Sequence, residues 1–138
     1  MQPFDVATVT AGESCAVVRI GGEVDAYAAP LLRERVLNLA GDGTVHIIAD
    51  MSGVRFLDSA GVSALVSSRT ALLARGGSLA LVACTDRILQ TLRITGLSAA
   101  FPVYPGVQDA ITADGQWQAA VSAEGHSTAE WCRQHHLL

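Results

Sequence analysis

The sequence predicts a single α/β domain, a mixed sheet of about four to five strands covered by about four helices. Two patterns carry that expectation. Short apolar runs rich in β-branched residues, such as Val45 to Ala49 and Leu79 to Cys84, read as buried strands. Between them lie stretches with apolar residues at helical spacing, closed by glycines at Gly41-Asp42-Gly43, Gly76-Gly77 and Gly96. At 138 residues the chain can bury one good core but is too short for two ordinary domains.

The elements follow in order. Val6 to Thr10 and Cys15 to Ile20 read as strands joined by a turn at Ala11-Gly12-Glu13-Ser14, and Gly21-Gly22 is expected to break the second. Pro30 suits the first turn of a helix whose apolar face carries Leu32, Val36 and Leu39. Thr44 to Ala49 reads as a central strand, followed by a loop from Asp50 to Asp58. A second helix from about Ser59 has Val62, Leu65, Val66, Leu72 and Leu73 on its buried side, with Arg75 placed for the helix dipole. A strand at Leu79 to Cys84 leads to a short helix capped at Thr85-Asp86 and carrying Ile88, Leu89 and Leu92. Phe101 to Tyr104 reads as a last strand and Val107 to Thr112 as a helix.

Residues 1–114 therefore form the domain, and 115–138 read as an extension. Gly115 to Gly125 looks loose and polar, with Trp117 its one large anchor. Ser127-Thr128-Ala129-Glu130 has the spacing of a capping box, which predicts a terminal helix. Trp131 and Leu138 give that helix an apolar face that can pack on the domain or on a second copy, leaving a homodimer open.

Composition narrows the function. Half the residues are hydrophobic and mean hydropathy is +0.35, which excludes intrinsic disorder. No apolar run approaches the ~20 residues of a membrane helix. Met1 to Asp5 lacks the basic and apolar regions of a secretory signal, so the chain reads as cytoplasmic, without a membrane partner. Net charge is −4, all nine cationic residues are arginines, and they are scattered, which disfavours nucleic acid. Cys15, Cys84 and Cys132 form no Cys-x-x-Cys pair and suit a reducing compartment.

The segment Asp50-Met51-Ser52-Gly53-Val54-Arg55-Phe56-Leu57-Asp58-Ser59-Ala60-Gly61 carries the chemistry. Ser59 stands where a helix begins. Its hydroxyl can cap the helix, worth about 1 kcal/mol, or remain exposed for modification. Ala60 and Gly61 add little bulk, so a partner can approach closely. A phosphate on Ser59 adds about −1.5 to −2 charges beside free N–H groups at the positive end of the helix. The fold can hold that phosphate, while a docked partner meets a bulky anion.

This segment resembles the signature of STAS-domain anti-sigma factor antagonists, a bacterial family of transcription regulators. The likeness extends to Gly22-Glu23-Val24-Asp25, to Gly77 through Val82, and to Leu92-Arg93-Ile94-Thr95-Gly96-Leu97, spanning about residues 4 to 113. The resemblance implies a STAS-like fold and a partner-switching mechanism. Ser59 corresponds to the serine phosphorylated by an anti-sigma factor that is itself an ATP-dependent serine kinase. The unphosphorylated domain binds that anti-sigma factor and frees the sigma factor; a phosphatase resets the switch. Asp25, Asp58, Ser59, Ala60 and Gly61 then shape the docking surface. The nucleotide belongs to the kinase, so no cofactor is expected here. Other members of the family act in transporters, stress-sensing complexes or lipid-transport machinery, so a constitutive scaffold or adaptor without a phosphorylation switch is the alternative.

Other chemistries fit less well. The Gly-x-Ser-x-Gly elbow of a hydrolase is incomplete, since Leu57 stands where its first glycine would be, although Gly61 fits the second. A serine–histidine pair would need the tail to fold over Ser59, because His46 lies within a strand and the other histidines lie after residue 125. An aspartate-phosphorylated receiver needs a lysine, and the chain has none. His126, Cys132, His135 and His136 are metal-competent types, but a solvated or partner-facing terminus explains them as well.

Overall fold

The computed structural model describes residues 3–138. Two strands, β1 (Asp5–Ala11) and β2 (Cys15–Val24), form an antiparallel hairpin. The chain then alternates: α1 (Ala28–Gly41), β3 (His46–Leu57), α2 (Ser59–Ala74), β4 (Ser78–Val82), α3 (Asp86–Ile94) and β5 (Val103–Tyr104). Three helices close it: α4 (Val107–Thr112), α5 (Gly115–Ala123) and α6 (Thr128–Gln134). The sheet has five strands in the order β1-β2-β3-β4-β5, with every neighbour parallel except the first pair.

That order explains the layers. From β2 to β5 each crossover steps in one direction, and right-handed crossovers in one direction place their helices on one face. So α1, α2 and α3 cover one side, over Val18, Ile20, Ile47, Ala49, Met51 and Leu81. The opposite side is left without crossover helices, yet Ala11, Cys15, Val17, Ile48 and Val82 point there. Helices α4, α5 and α6 supply its cover, centred on Trp117 and Trp131.

Several expectations need correction. Gly21-Gly22 does not end β2, which runs on to Val24 through irregular pairing with β3. Asp50 to Leu57 is not a loop, because β3 stays paired with β2 as far as Leu57. Glycine and charge suggested a break, but Gly53 is there for close packing: a Cβ would sit 3.1 Å from the Ile20 carbonyl oxygen and 3.2 Å from Gly21 Cα. Beyond Val82 β4 no longer accompanies β3, so the ends of β2 and β3 project as a two-stranded overhang.

The four helices expected over residues 1–114 are α1 to α4, and the extension holds two more, α5 and α6, where one was expected. Gly115 to Gly125 was expected to be irregular, but it contains α5, whose N-cap Asp114 accepts from the N–H groups of Gln116 (2.8 Å) and Trp117 (3.3 Å). Trp117, Ala120 and Val121 then recur at helical spacing on its inner side. The capping box of α6 is formed: Glu130 N–H donates to Ser127 Oγ and Ser127 N–H to Glu130 Oε1, each at 3.2 Å. Trp131 is fully buried within its own chain, edge-on to Trp117 with ring centroids 5.5 Å apart. Leu138, expected on the same apolar face, is 69% exposed. Leu73 is likewise 47% exposed, one residue off the stripe formed by Val62, Leu65 and Leu72. Arg75 serves a neighbour and not its own helix, since its Nη1 donates to the Ala40 carbonyl at the end of α1 (2.9 Å).

Candidate functional site

The overhang carries the site. Asp58 leaves β3 in extended geometry (φ −92°, ψ −173°) and caps α2: its Oδ1 accepts from the Gly61 N–H at 3.0 Å and its carbonyl from Val62 at 2.9 Å. Ser59 is therefore not the cap but the first residue of the helix. It is exposed, and no hydrogen bond engages its hydroxyl among the described residues. Nor does any side chain cap the N–H groups of Ser59 or Ala60 there. A phosphate at this hydroxyl would meet two open donors and the positive end of a 16-residue helix, with the Asp58 carboxylate opposing it. Asp58→Ala is expected to cost about 1 kcal/mol, read as a shift in the urea midpoint. Asp58→Asn keeps an acceptor and should cost a few tenths.

Asp25 ends the neighbouring strand in a similar way. Its Oδ1 accepts from the N–H groups of Tyr27 and Ala28, both at 3.0 Å, and its carbonyl from Ala29 at 2.8 Å. The two turns are joined through Val24. Its carbonyl accepts from Asp58 N–H at 3.3 Å, and a Cβ on Gly61 would lie 2.5 Å from the same oxygen. Gly61 is a glycine because α2 starts against that backbone. The structure thus brings Asp25, Asp58, Ser59, Ala60 and Gly61 together at one edge. Tyr27 and Phe56 also stand exposed at this edge, which the sequence, showing only their aromatic type, did not reveal.

These five residues line no described cavity. A cleft of about 860 Å³ opens on the opposite layer, between Arg19, Asp50, Ser52 and the last residues of the chain, and none of the five residues above lines it. Arg19 bridges that layer: its guanidinium donates to the carbonyls of His135 (3.1 Å) and His136, and its Nε lies 3.9 Å from Asp50.

The remaining reactive groups are engaged elsewhere. His46 opens the 12-residue β3 at the end remote from Ser59, with its Nδ1 3.1 Å from Ser78 Oγ. His135 packs on Trp131 with the rings tilted by 47° and their centroids 4.6 Å apart. Burial pushes all three thiols up, Cys84 to about 11 with Asp50 adding to the effect, so none supplies a thiolate near neutral pH. Among the described residues, no three His, Cys, Asp or Glu side chains converge as a metal would require, and no helix is long and apolar enough to cross a membrane.

A five-stranded mixed sheet with a serine exposed where β3 meets α2 defines a class of small α/β domains. The family model for the STAS domain matches residues 7–110, and the chain belongs to that family. An anti-sigma-B factor antagonist of Bacillus subtilis is 38% identical over 80 residues, covering 58% of this chain and 72% of its own. Its namesake in Staphylococcus aureus is 33% identical over 91 residues, covering 66% and 84%. Among solved structures, an anti-sigma factor antagonist from Mycobacterium paratuberculosis superposes with a TM-score of 0.71 at 29% identity, covering 80% of this chain and 93% of that one. The unphosphorylated form of SpoIIAA, an anti-sigma factor antagonist, gives 0.66 at 23% identity over 79% and 93%, a likeness of fold.

Proposed function

We propose that this chain is an anti-sigma factor antagonist, regulatory and not enzymatic, switched by phosphorylation of Ser59. Unphosphorylated, it binds an anti-sigma factor that is also an ATP-dependent serine kinase, and the sigma factor goes free. Phosphorylated, it lets go, and a phosphatase restores it. Residues 1–114 form the switch domain, and 115–138 an extension that completes its second face.

One observation supports this most: Asp58 does the capping, so the Ser59 hydroxyl is exposed and has no structural duty. A phosphate there needs no change of fold. In a docked interface it adds charge where the rim already carries Asp25 and Asp58, and misplaced like charge costs several kcal/mol. The names of the relatives point the same way.

The test uses the serine-kinase anti-sigma factors of the source bacterium, each purified and incubated with this chain and ATP. One phosphate should appear by intact mass on the wild type and none on Ser59→Ala. Ser59→Ala should stay bound, and Ser59→Asp should bind more weakly, in part only because the mimic carries one charge. Equal affinity for the two variants would end the charge mechanism. Phosphate transfer by none of the kinases would favour a constitutive scaffold.

A further inference from the structure

The chain has seven aromatic side chains, and five are buried or half-buried. Only Tyr27, 89% exposed, and Phe56, 44% exposed, stand in solvent, Phe56 on the β2–β3 overhang and Tyr27 just beyond the end of β2. Phe56 pairs with Glu23 in the last rungs of the ladder, three residues before Ser59. Tyr27 stands on the turn after β2, which abuts the start of α2 through Val24. The Ser59 edge thus carries two bulky rings beside the small residues Ala26 and Ala60. Exposed aromatics on a rigid edge are what a protein partner grips, since a ring buries much area while losing little rotamer freedom.

The rigidity has a visible cause. The Asp25 oxygen is occupied by two backbone N–H groups, those of Tyr27 and Ala28. Its first duty is to hold the turn that lifts Tyr27 into solvent. We infer that Tyr27 and Phe56 are the aromatic anchors of the anti-sigma docking surface, and that Asp25 is a positioning residue acting through Tyr27. This rests on the function proposed above and specifies the partner's face. It must offer apolar pockets for two rings and, against a rim bearing Glu23, Asp25 and Asp58, a cationic border. The Ser59 phosphate then enters the same contact surface as both anchors, so one modification disturbs the whole contact.

Affinity for each serine-kinase anti-sigma factor of the source bacterium is measured by calorimetry with a non-hydrolysable ATP analogue, which leaves Ser59 unmodified. Tyr27→Ala and Phe56→Ala are each expected to weaken binding about thirtyfold or more, with melting temperatures near wild type because both rings are exposed. Tyr27→Phe should retain most of the affinity. Asp25→Asn, which keeps the turn acceptor, should bind better than Asp25→Ala. Leu73→Ala, an exposed apolar residue at the far end of α2, should bind as wild type.

Should Ser59→Glu lose binding while Tyr27→Ala and Phe56→Ala keep it, the anchors are wrong and the phosphoswitch stands. Should both alanine variants lose binding while Ser59→Glu keeps it, the anchors stand and the charge switch falls. Wild-type protein that binds none of the kinases overturns both. If the alanine variants instead convert a wild-type dimer to monomer in sedimentation without changing kinase affinity, the occupant is a second copy and the inference is overturned.

Discussion

Trp131→Ala is expected to destabilise the domain by about 3–5 kcal/mol. The indole is fully buried on the face that receives no crossover helix, edge-on to Trp117 and beneath the His135 ring. Removing it opens a cavity between two helices that are themselves short, α5 of nine residues and α6 of seven, with little means of relaxing separately. Trp131→Phe should cost less, because the Nε1 donor has no partner to lose among the described residues. Urea unfolding of the three proteins checks the order. The double change with Trp117→Ala should fall short of the sum, as the two rings share one contact. A loss below about 1 kcal/mol for Trp131→Ala would mean that the extension is not part of the cooperative unit.

The second large effect is at Gly61, where two terms of opposite sign compete. Alanine in place of glycine within a helix normally stabilises by about 1 kcal/mol. At Gly61 the new methyl would lie 2.5 Å from both the Val24 carbonyl oxygen and Leu57 Cδ1. The carbonyl is backbone held by Asp58 N–H, so relief requires α2 to move off the β2 turn. Overpacking of this kind costs about 1–3 kcal/mol, and more when backbone must shift. Gly61→Ala should therefore destabilise, with faster amide exchange at residues 25–29 and 58–62. Gly115→Ala is the control. It lies in α5 with nothing within 4 Å of its Cβ position, so the same substitution should stabilise by up to about 1 kcal/mol.

These two cases also show what sequence could and could not reveal. The alternation of strands and helices was legible because apolar periodicity is local, and so was the capping box at Ser127. The overhang was not. Gly21, Gly22 and Gly53 looked like breakers, and only the pairing of β2 with β3 shows that Gly53 is there for close approach. The second core was equally hidden. Trp117 and Trp131 are fourteen residues apart in a polar stretch, and their contact depends on a bare sheet face created by crossover handedness. At the site, the position of Ser59 at a helix start was readable, but which of Asp58 and Ser59 did the capping was a matter of hydrogen-bond geometry. The free state of the serine hydroxyl follows from that geometry.

The double use of the Val24 carbonyl has a consequence for quality control. Residues 25 and 59 lie far apart in sequence, and neither turn fixes the other until β2 and β3 are zipped to their ends. A nascent or misfolded chain contains the same Asp58-Ser59-Ala60 segment but not the assembled edge. A partner that reads the edge, and not the local sequence, will ignore such chains, so recognition would wait on complete folding.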